Sequence, residues 1–158
     1  MNIKKMLFAA VTLAAAFTAS AAENNAQVHY QSIDIQGVQL FYREAGSPKA
    51  PTVLLLHGFG ASSYMFRNLI PKLAENYHVL APDLPGFGQT TVGADVQFKY
   101  TFDNLAKVID AFTVAKGAEH YAMYVFDYGA PVGWRLAVKN PQKITAIVSQ
   151  MAMPMKKA

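Results

Sequence analysis

The chain has 158 residues, no cysteine, 15% charged residues and a formal net charge of +4. The lack of cysteine excludes a disulfide framework and thiol chemistry. The Lys and Arg residues are scattered, which excludes the clustered basic patch that holds nucleic acid or a membrane surface.

Chain order begins with a segment that reads as a targeting signal. Lys4 and Lys5 precede an apolar run from Met6 to Phe17, and Ala19-Ser20-Ala21 has the small-residue form of a cleavage site. Residues 1–21 are therefore expected to be a secretory signal peptide, too short in its apolar part to span a bilayer. The expected protein is exported, periplasmic or secreted, with no membrane association after signal removal. What remains is one domain of ordinary size. Residues 22–30 read as a polar leader, 31–150 as the domain, and 151–158 as an atypical Met/Lys tail.

Ser32 to Gln36 and Val38 to Arg43 alternate around Gly37 and predict a hairpin with Ile33, Ile35, Leu40 and Tyr42 inward. Thr52 to Leu56 is short and continuously apolar, as in a strand buried on both faces of a parallel sheet. Ser62 or Ser63 caps a helix carrying Phe66, Leu69, Ile70 and Leu73, and Pro71 predicts a kink or two short helices. Tyr77 to Ala81 is the next strand, and Pro82 to Gly93 a Gly/Pro-rich loop. Thr101 caps a helix with Phe102, Leu105, Ile109 and Phe112 on one face and an Asp103–Lys107 pair outside. Tyr121 to Phe126 and Ile144 to Ser149 are strands flanking a helix with Pro131 in its first turn. A hairpin followed by alternating strands and helices predicts an α/β fold with a mostly parallel sheet. Ligands of such sheets bind outside the carboxyl ends of the strands, where His57, Asp83 and Asp127 fall.

Asp127 is the candidate catalytic residue. The stretch YAMYVFDYGAPVGWRLA places it between a strand and a helix, with Gly129 and Gly133 where a tight turn and a close helix approach need small residues. This is the layout of a nucleophile elbow with Asp at the apex. A serine needs a base to become a nucleophile, whereas an aspartate side chain is an anion at neutral pH. The alternative is an Asp that caps the following helix; the flanking glycines favour the elbow.

His57-Gly58-Phe59-Gly60 can aim the Phe59 amide toward the elbow, forming an oxyanion hole with the Tyr128 amide. His57, Gly58 and Gly129 then support the turns, with the His57 side chain a packed, hydrogen-bonded core residue. Asp83 reads as an acceptor that fixes its loop; a second carboxylate or a ribose ligand are its other readings. Trp134 and the methionines read as core. His29, His78 and His120 lack metal-ligand spacing. No metal and no cofactor are expected.

VLLLHGFGASSYMFRNLIPKLAENYHVLAPDLPGFGQT and YVFDYGAPVGWRLAVKNPQKITAIVSQ resemble the α/β-hydrolase fold, and within it the aspartate-nucleophile branch of epoxide hydrolases and haloalkane or haloacid dehalogenases. The resemblance runs from about Gln31 to Gln150. It implies that Asp127 attacks an sp³ carbon to form an alkyl ester, and that water activated by a His–acid pair then attacks the Asp127 carbonyl carbon. It implies no cofactor. The chain departs from the pattern at Gly60, where epoxide hydrolases carry Pro, and at Tyr128, where haloalkane dehalogenases carry a halide-binding Trp. The family places a cap domain, the third acid and the catalytic His after the strand ending near Ser149, and no His follows Asp127 here.

The expectation is an α/β-hydrolase-like core lacking the cap and late strands: the N-terminal part of a hydrolase acting on an epoxide or alkyl halide, inactive alone. Its partners are a small-molecule substrate if active, no nucleic acid, and self-association through the edge of strand 144–149. The alternatives are a non-catalytic truncated fragment or binding remnant, and a dinucleotide-binding domain built on Gly58, Gly60 and Asp83, in which Ser63 occupies the third glycine position.

Overall fold

The computed structural model of the protein describes residues 27–151. The signal peptide assigned to residues 1–21, the leader as far as residue 26 and the tail from residue 152 lie outside the described residues. Seven strands are present among these: β1 (His29–Ile35), β2 (Val38–Ala45), β3 (Thr52–Leu56), β4 (His78–Pro82), β5 (Thr91–Val92), β6 (Tyr121–Phe126) and β7 (Ile144–Gln150). The helices are α1 (Ile70–Ala74), α2 (Phe102–Ala115) and α3 (Gly129–Lys139), and a 3-10 turn covers Ser63–Phe66.

The strands form one sheet in the order β1-β2-β4-β3-β6-β7, with β5 paired to β2. The hairpin of β1 and β2 is antiparallel, and β2 joins β4 antiparallel. From β4 onward the sheet is parallel. The α/β class with an N-terminal antiparallel hairpin is therefore observed.

Two corrections fall on the hairpin. His29 and Tyr30, assigned to the leader, belong to β1, and β2 continues past Arg43 to Ala45. The partners His29↔Glu44 and Tyr30↔Arg43 extend the ladder. Both of those β1 residues are exposed, so their polarity disguised a strand whose pairing is made by its backbone. The turn itself is Gln36-Gly37, with φ of 57° and 84°, the double positive φ of a type I′ hairpin.

β3 lies in the middle of the sheet, and its apolar run serves two cores. Leu54 and Leu56 face one side with Leu40, Ile109, Phe112 and Val125. Leu55 faces the other with Phe66, Ile70, Val79 and Ala81. Helices α2 and α3 cover the first side; α1 and the 3-10 turn cover the second. Pro71 occurs where the expected two short helices form.

Helix α2 starts at the Thr101 cap, whose side chain accepts from the Asn104 N–H at 3.3 Å. Leu105, Ile109 and Phe112 are buried as the 3.6-residue period requires. The Asp103–Lys107 pair is not made. Lys107 donates to Asn104, and Asp103 pairs instead with Arg135 of α3. A tertiary neighbour with a fixed guanidinium fork displaced the weaker i,i+4 contact. The loop after β4 also holds the two-residue strand β5, too short to leave a periodic signal.

Strand β7 is the edge of the sheet among the described residues. Ile144 and Ile147 pack partly against the core, while Thr145, Ala146, Val148, Ser149 and Gln150 are exposed, Val148 at 58%. Seven uncharged residues with an open row of N–H and C=O groups form a template for further pairing. The protein is expected to self-associate with rising concentration, and Val148→Lys is expected to suppress this. Size-exclusion chromatography with light scattering checks both; a monomer at every concentration would contradict the expectation.

Candidate functional site

The parallel strands β4, β3 and β6 are neighbours, so the residues that follow them share one end of the sheet. These are Asp83, His57 and Asp127. Asp127 has φ 47°, in the left-handed region. Asp tolerates that region better than most residues, but it remains strained by about 1–2 kcal/mol. The strain lifts the side chain off the strand. The turn closes with the Ala130 N–H donating to the Asp127 carbonyl at 3.0 Å, and the Asp127 N–H donates to Gln150 at 3.2 Å.

Two glycines make this apex possible. A Cβ on Gly129 would stand 2.5 Å from the Leu56 carbonyl oxygen, so α3 starts directly against β3. A Cβ on Gly58 would stand 2.9 Å from the Asp127 Cβ. The H-G-F-G turn and the elbow therefore touch through the missing side chain of Gly58.

Contact brings the Phe59 amide onto the carboxylate. The Phe59 N–H donates to Asp127 Oδ1 at 2.8 Å. The cap of α3 is Tyr128 and makes no side-chain cap bond, so the helix-capping reading of Asp127 does not hold. The carboxylate is turned away from its own helix. Among the described residues, Oδ2 has no hydrogen-bond partner and the Tyr128 N–H has no acceptor. One carboxylate oxygen is fixed by the Phe59 amide, and the other has no partner among the described residues.

His57 sets the orientation of that amide. It is fully buried. Its Nε2 accepts from the Leu84 N–H at 2.9 Å, so in the neutral ring the proton sits on Nδ1, which donates to the Gly58 carbonyl at 2.8 Å. The Gly58 carbonyl and the Phe59 N–H belong to one rigid peptide unit. Holding the oxygen fixes the direction of the N–H. The expected packed role of His57 thus has a specific target.

Asp83 works one layer further back. Its Oδ1 accepts from the Ser63 N–H at 2.7 Å and from the Ser63 hydroxyl, and its Oδ2 accepts from the Gln89 N–H at 2.8 Å. Arg43 donates to the Ser63 hydroxyl and sits 3.8 Å from Asp83 Oδ1. Gly88, at φ 58°, passes so close that a Cβ would lie 1.9 Å from Asp83 Oδ2. With both oxygens engaged and 1% exposure, Asp83 is a loop-fixing acceptor and offers nothing to a ribose. The dinucleotide reading of Gly58, Gly60 and Asp83 is corrected on that ground.

The other histidines are occupied elsewhere or distant. His78 pairs with Glu44 at 2.7 Å, and His120 contacts the Gln142 carbonyl at 3.2 Å. His29 begins β1, at the opposite edge of the sheet from β7. Burial pushes the Glu44 carboxyl up, but its bonds to His78 and Lys116 together bring it below its ordinary value. Among the described residues no group of three or more His, Cys, Asp or Glu is placed to hold a metal.

A profile of the α/β hydrolase fold matches residues 51–158. The chain belongs to the α/β hydrolase fold family. An uncharacterized hydrolase of Saccharomyces cerevisiae is 51% identical over 128 residues, covering 80% of this chain and 43% of that protein. Epoxide hydrolase A of Mycobacterium tuberculosis is 35% identical over 118 residues, covering 74% and 36%. The solved structure of a loop variant of the haloalkane dehalogenase DbeA from Bradyrhizobium elkanii matches with TM-score 0.73 and 31% identity, over 79% of this chain and 40% of that one. The chain spans less than half the length of each of these α/β hydrolase relatives.

Beside the elbow this α/β hydrolase domain has a cleft of about 670 Å³. Phe59 and Tyr128 line it, with Phe87, Tyr100, Phe102 and Arg135. Sequence reasoning missed this wall, because its aromatic residues come from four separate segments with no shared period. It also missed Arg43, a buried charge inside a strand that is covered on both faces.

Two outcomes test this geometry. Asp127→Gly is expected to be more stable than Asp127→Ala by about 1 kcal/mol, since both lose the carboxylate and Gly alone takes a positive φ freely. Equal urea midpoints would refute the strained apex. Burial holds the His57 imidazole below its ordinary value, against smaller upward pulls from the Gly58 carbonyl and the Asp83 charge. As pH falls below about 6.5, the unfolded chain takes up this proton before the folded one, so His57 withdraws stability from there downward. His57→Gln is expected to lose less stability than the unmodified protein between about pH 7.5 and about pH 5.5. An NMR titration of the His57 ring checks the same direction without a variant.

Proposed function

We propose that the chain carries the nucleophile and oxyanion-binding part of a hydrolase that opens an epoxide, or displaces halide from an alkyl halide, through an aspartyl ester. One observation carries the reading: the Asp127 carboxylate sits on a strained apex and is held by the Phe59 N–H instead of capping its own helix. The open Oδ2 attacks the sp³ carbon. The epoxide oxygen leaves as an alkoxide and takes a proton from water, or the halide leaves as the ion. Once the ester forms, water attack on its carbonyl places negative charge on oxygen. In this reading the Phe59 amide, already on the carboxylate, and the Tyr128 amide are the donors that stabilise that charge. The relatedness to epoxide hydrolases and haloalkane dehalogenases supports this substrate class.

Release requires a base for the water, and His57, His78 and His120 are committed to other partners. The expected behaviour of this chain is therefore ester formation without turnover; loss of a base of this kind costs several orders of magnitude in rate. A binding remnant is the second reading, and those committed histidines are what favour it. Export to the periplasm or beyond the cell is proposed on residues 1–21.

Intact-protein mass spectrometry after incubation with a terminal epoxide tests the reading. The expected result is one adduct per chain, mapped to Asp127, absent in Asp127→Asn. An unmodified chain, or steady diol production that survives Asp127→Asn, would overturn it.

A further inference from the structure

We propose that the cleft beside Asp127 is a seat for a neutral aryl ring, so that the site takes a terminal epoxide or alkyl halide whose substituent ends in a phenyl-sized group. The inference rests on the proposed role of Asp127 and adds the substrate's chemical class. Phe59, Phe87 and Tyr128 form a triangle of edge-to-face rings, with centroids 5.3, 5.7 and 5.8 Å apart. Phe102 lies against Tyr128 as well, at 4.6 Å. Phe59 nonetheless remains 70% exposed. A ring with two aromatic neighbours and a bare outer surface is an incomplete cluster, and edge-to-face geometry favours a further ring over an alkyl group of equal size.

Position ties the cleft to the chemistry. Phe59 and Tyr128 supply ring walls of the cleft, and the Phe59 amide also holds the Asp127 carboxylate. The cleft is thus lined by the residue whose amide holds the Asp127 carboxylate and by the residue that follows Asp127 in the chain. The cleft, about 670 Å³, falls within the range of small-molecule sites. Its far wall is polar but offers no free cation. Arg135 is bound by the Asp103 carboxylate and the Pro131 carbonyl, and it also covers the Phe102 ring at 5.5 Å. An acidic substituent would meet an Arg135 charge already paired and the Asp103 carboxylate in the same wall, which favours a neutral guest.

The reaction keeps its balance. Asp127 Oδ2 gives an electron pair to the terminal epoxide carbon, the carbon–oxygen bond of the ring breaks, and the alkoxide takes a proton from water, leaving hydroxide.

Phenyl glycidyl ether and cyclohexyl glycidyl ether test the proposal, because they share one electrophile and differ in the ring. Labelling of Asp127 is followed by intact mass. The phenyl compound is expected to label about 3- to 10-fold faster, as the aromatic contact energy converts to rate. In the double variant Phe87→Leu with Tyr100→Leu the ratio is expected to fall by about half or more, the Phe59 and Tyr128 rings remaining. Equal rates in the unmodified protein, or a ratio indifferent to the double variant, would overturn the aryl seat. If neither ether labels the chain, the role of Asp127 fails. The unreactive diols, 3-phenoxypropane-1,2-diol and its cyclohexyloxy analogue, then decide the seat alone by NMR shifts of the cleft residues. Tighter binding of the phenoxy diol upholds it, and equal or absent binding overturns it.

Discussion

The site depends on one peptide unit, Gly58–Phe59. Its carbonyl is held by His57 and its N–H holds Asp127. Because a peptide is planar, the two bonds are mechanically one constraint. A buried imidazole on one strand end thereby fixes a carboxylate on the next. The arrangement requires Gly at position 58, since any side chain would strike Asp127, and Gly at 129, since any side chain would strike β3. The H-G and D-x-G patterns are thus two halves of one contact.

Behind this unit stands a buried polar layer. Asp83 gathers amides from two loops, and Arg43 supplies a counter-charge through Ser63. Buried charges are retained only where they are paired and bonded, and here every described atom of the Asp83 carboxylate is used. The layer fixes the D-L-P-G-F-G loop, and that loop carries Phe87 to the cleft and Leu84 to the His57 ring. The cleft wall and the H-G-F-G turn therefore share one set of hydrogen bonds.

Legibility in the sequence followed range. The strands β3 and β6 were readable because burial on both faces leaves unbroken apolar runs. The helix α2 was readable from its cap and its 3.6-residue period. The elbow was readable because its glycines, apex and helix start are contiguous. The missed features all depend on partners distant in sequence. Arg135 takes Asp103 from across two helices, the end of β1 is stabilised by backbone pairing under polar side chains, and the cleft is assembled from four segments. A resemblance suggested the proposed substrate class, but the conformation of Asp127 and the plane of the Phe59 amide are set by contacts between distant segments.

The chemistry divides along the same line. In the proposed reaction, attack on carbon needs an anion, an open oxygen and a place for the substrate, and the turns around Asp127 and the cleft next to them suit all three. Hydrolysis of the ester needs a base, and a base must arrive from a different element at the right distance. Each imidazole of the described residues is either committed to backbone or carboxylate partners or placed at the far edge of the sheet. Moving His57 to that task would release the Gly58 carbonyl and with it the orientation of the Phe59 amide. The imidazole that opens the H-G-F-G turn is thus the one least free to serve as the base. On the proposed mechanism the geometry around Asp127 suits the first bond, and the hydrogen bonds that hold His57 keep it from serving the second step.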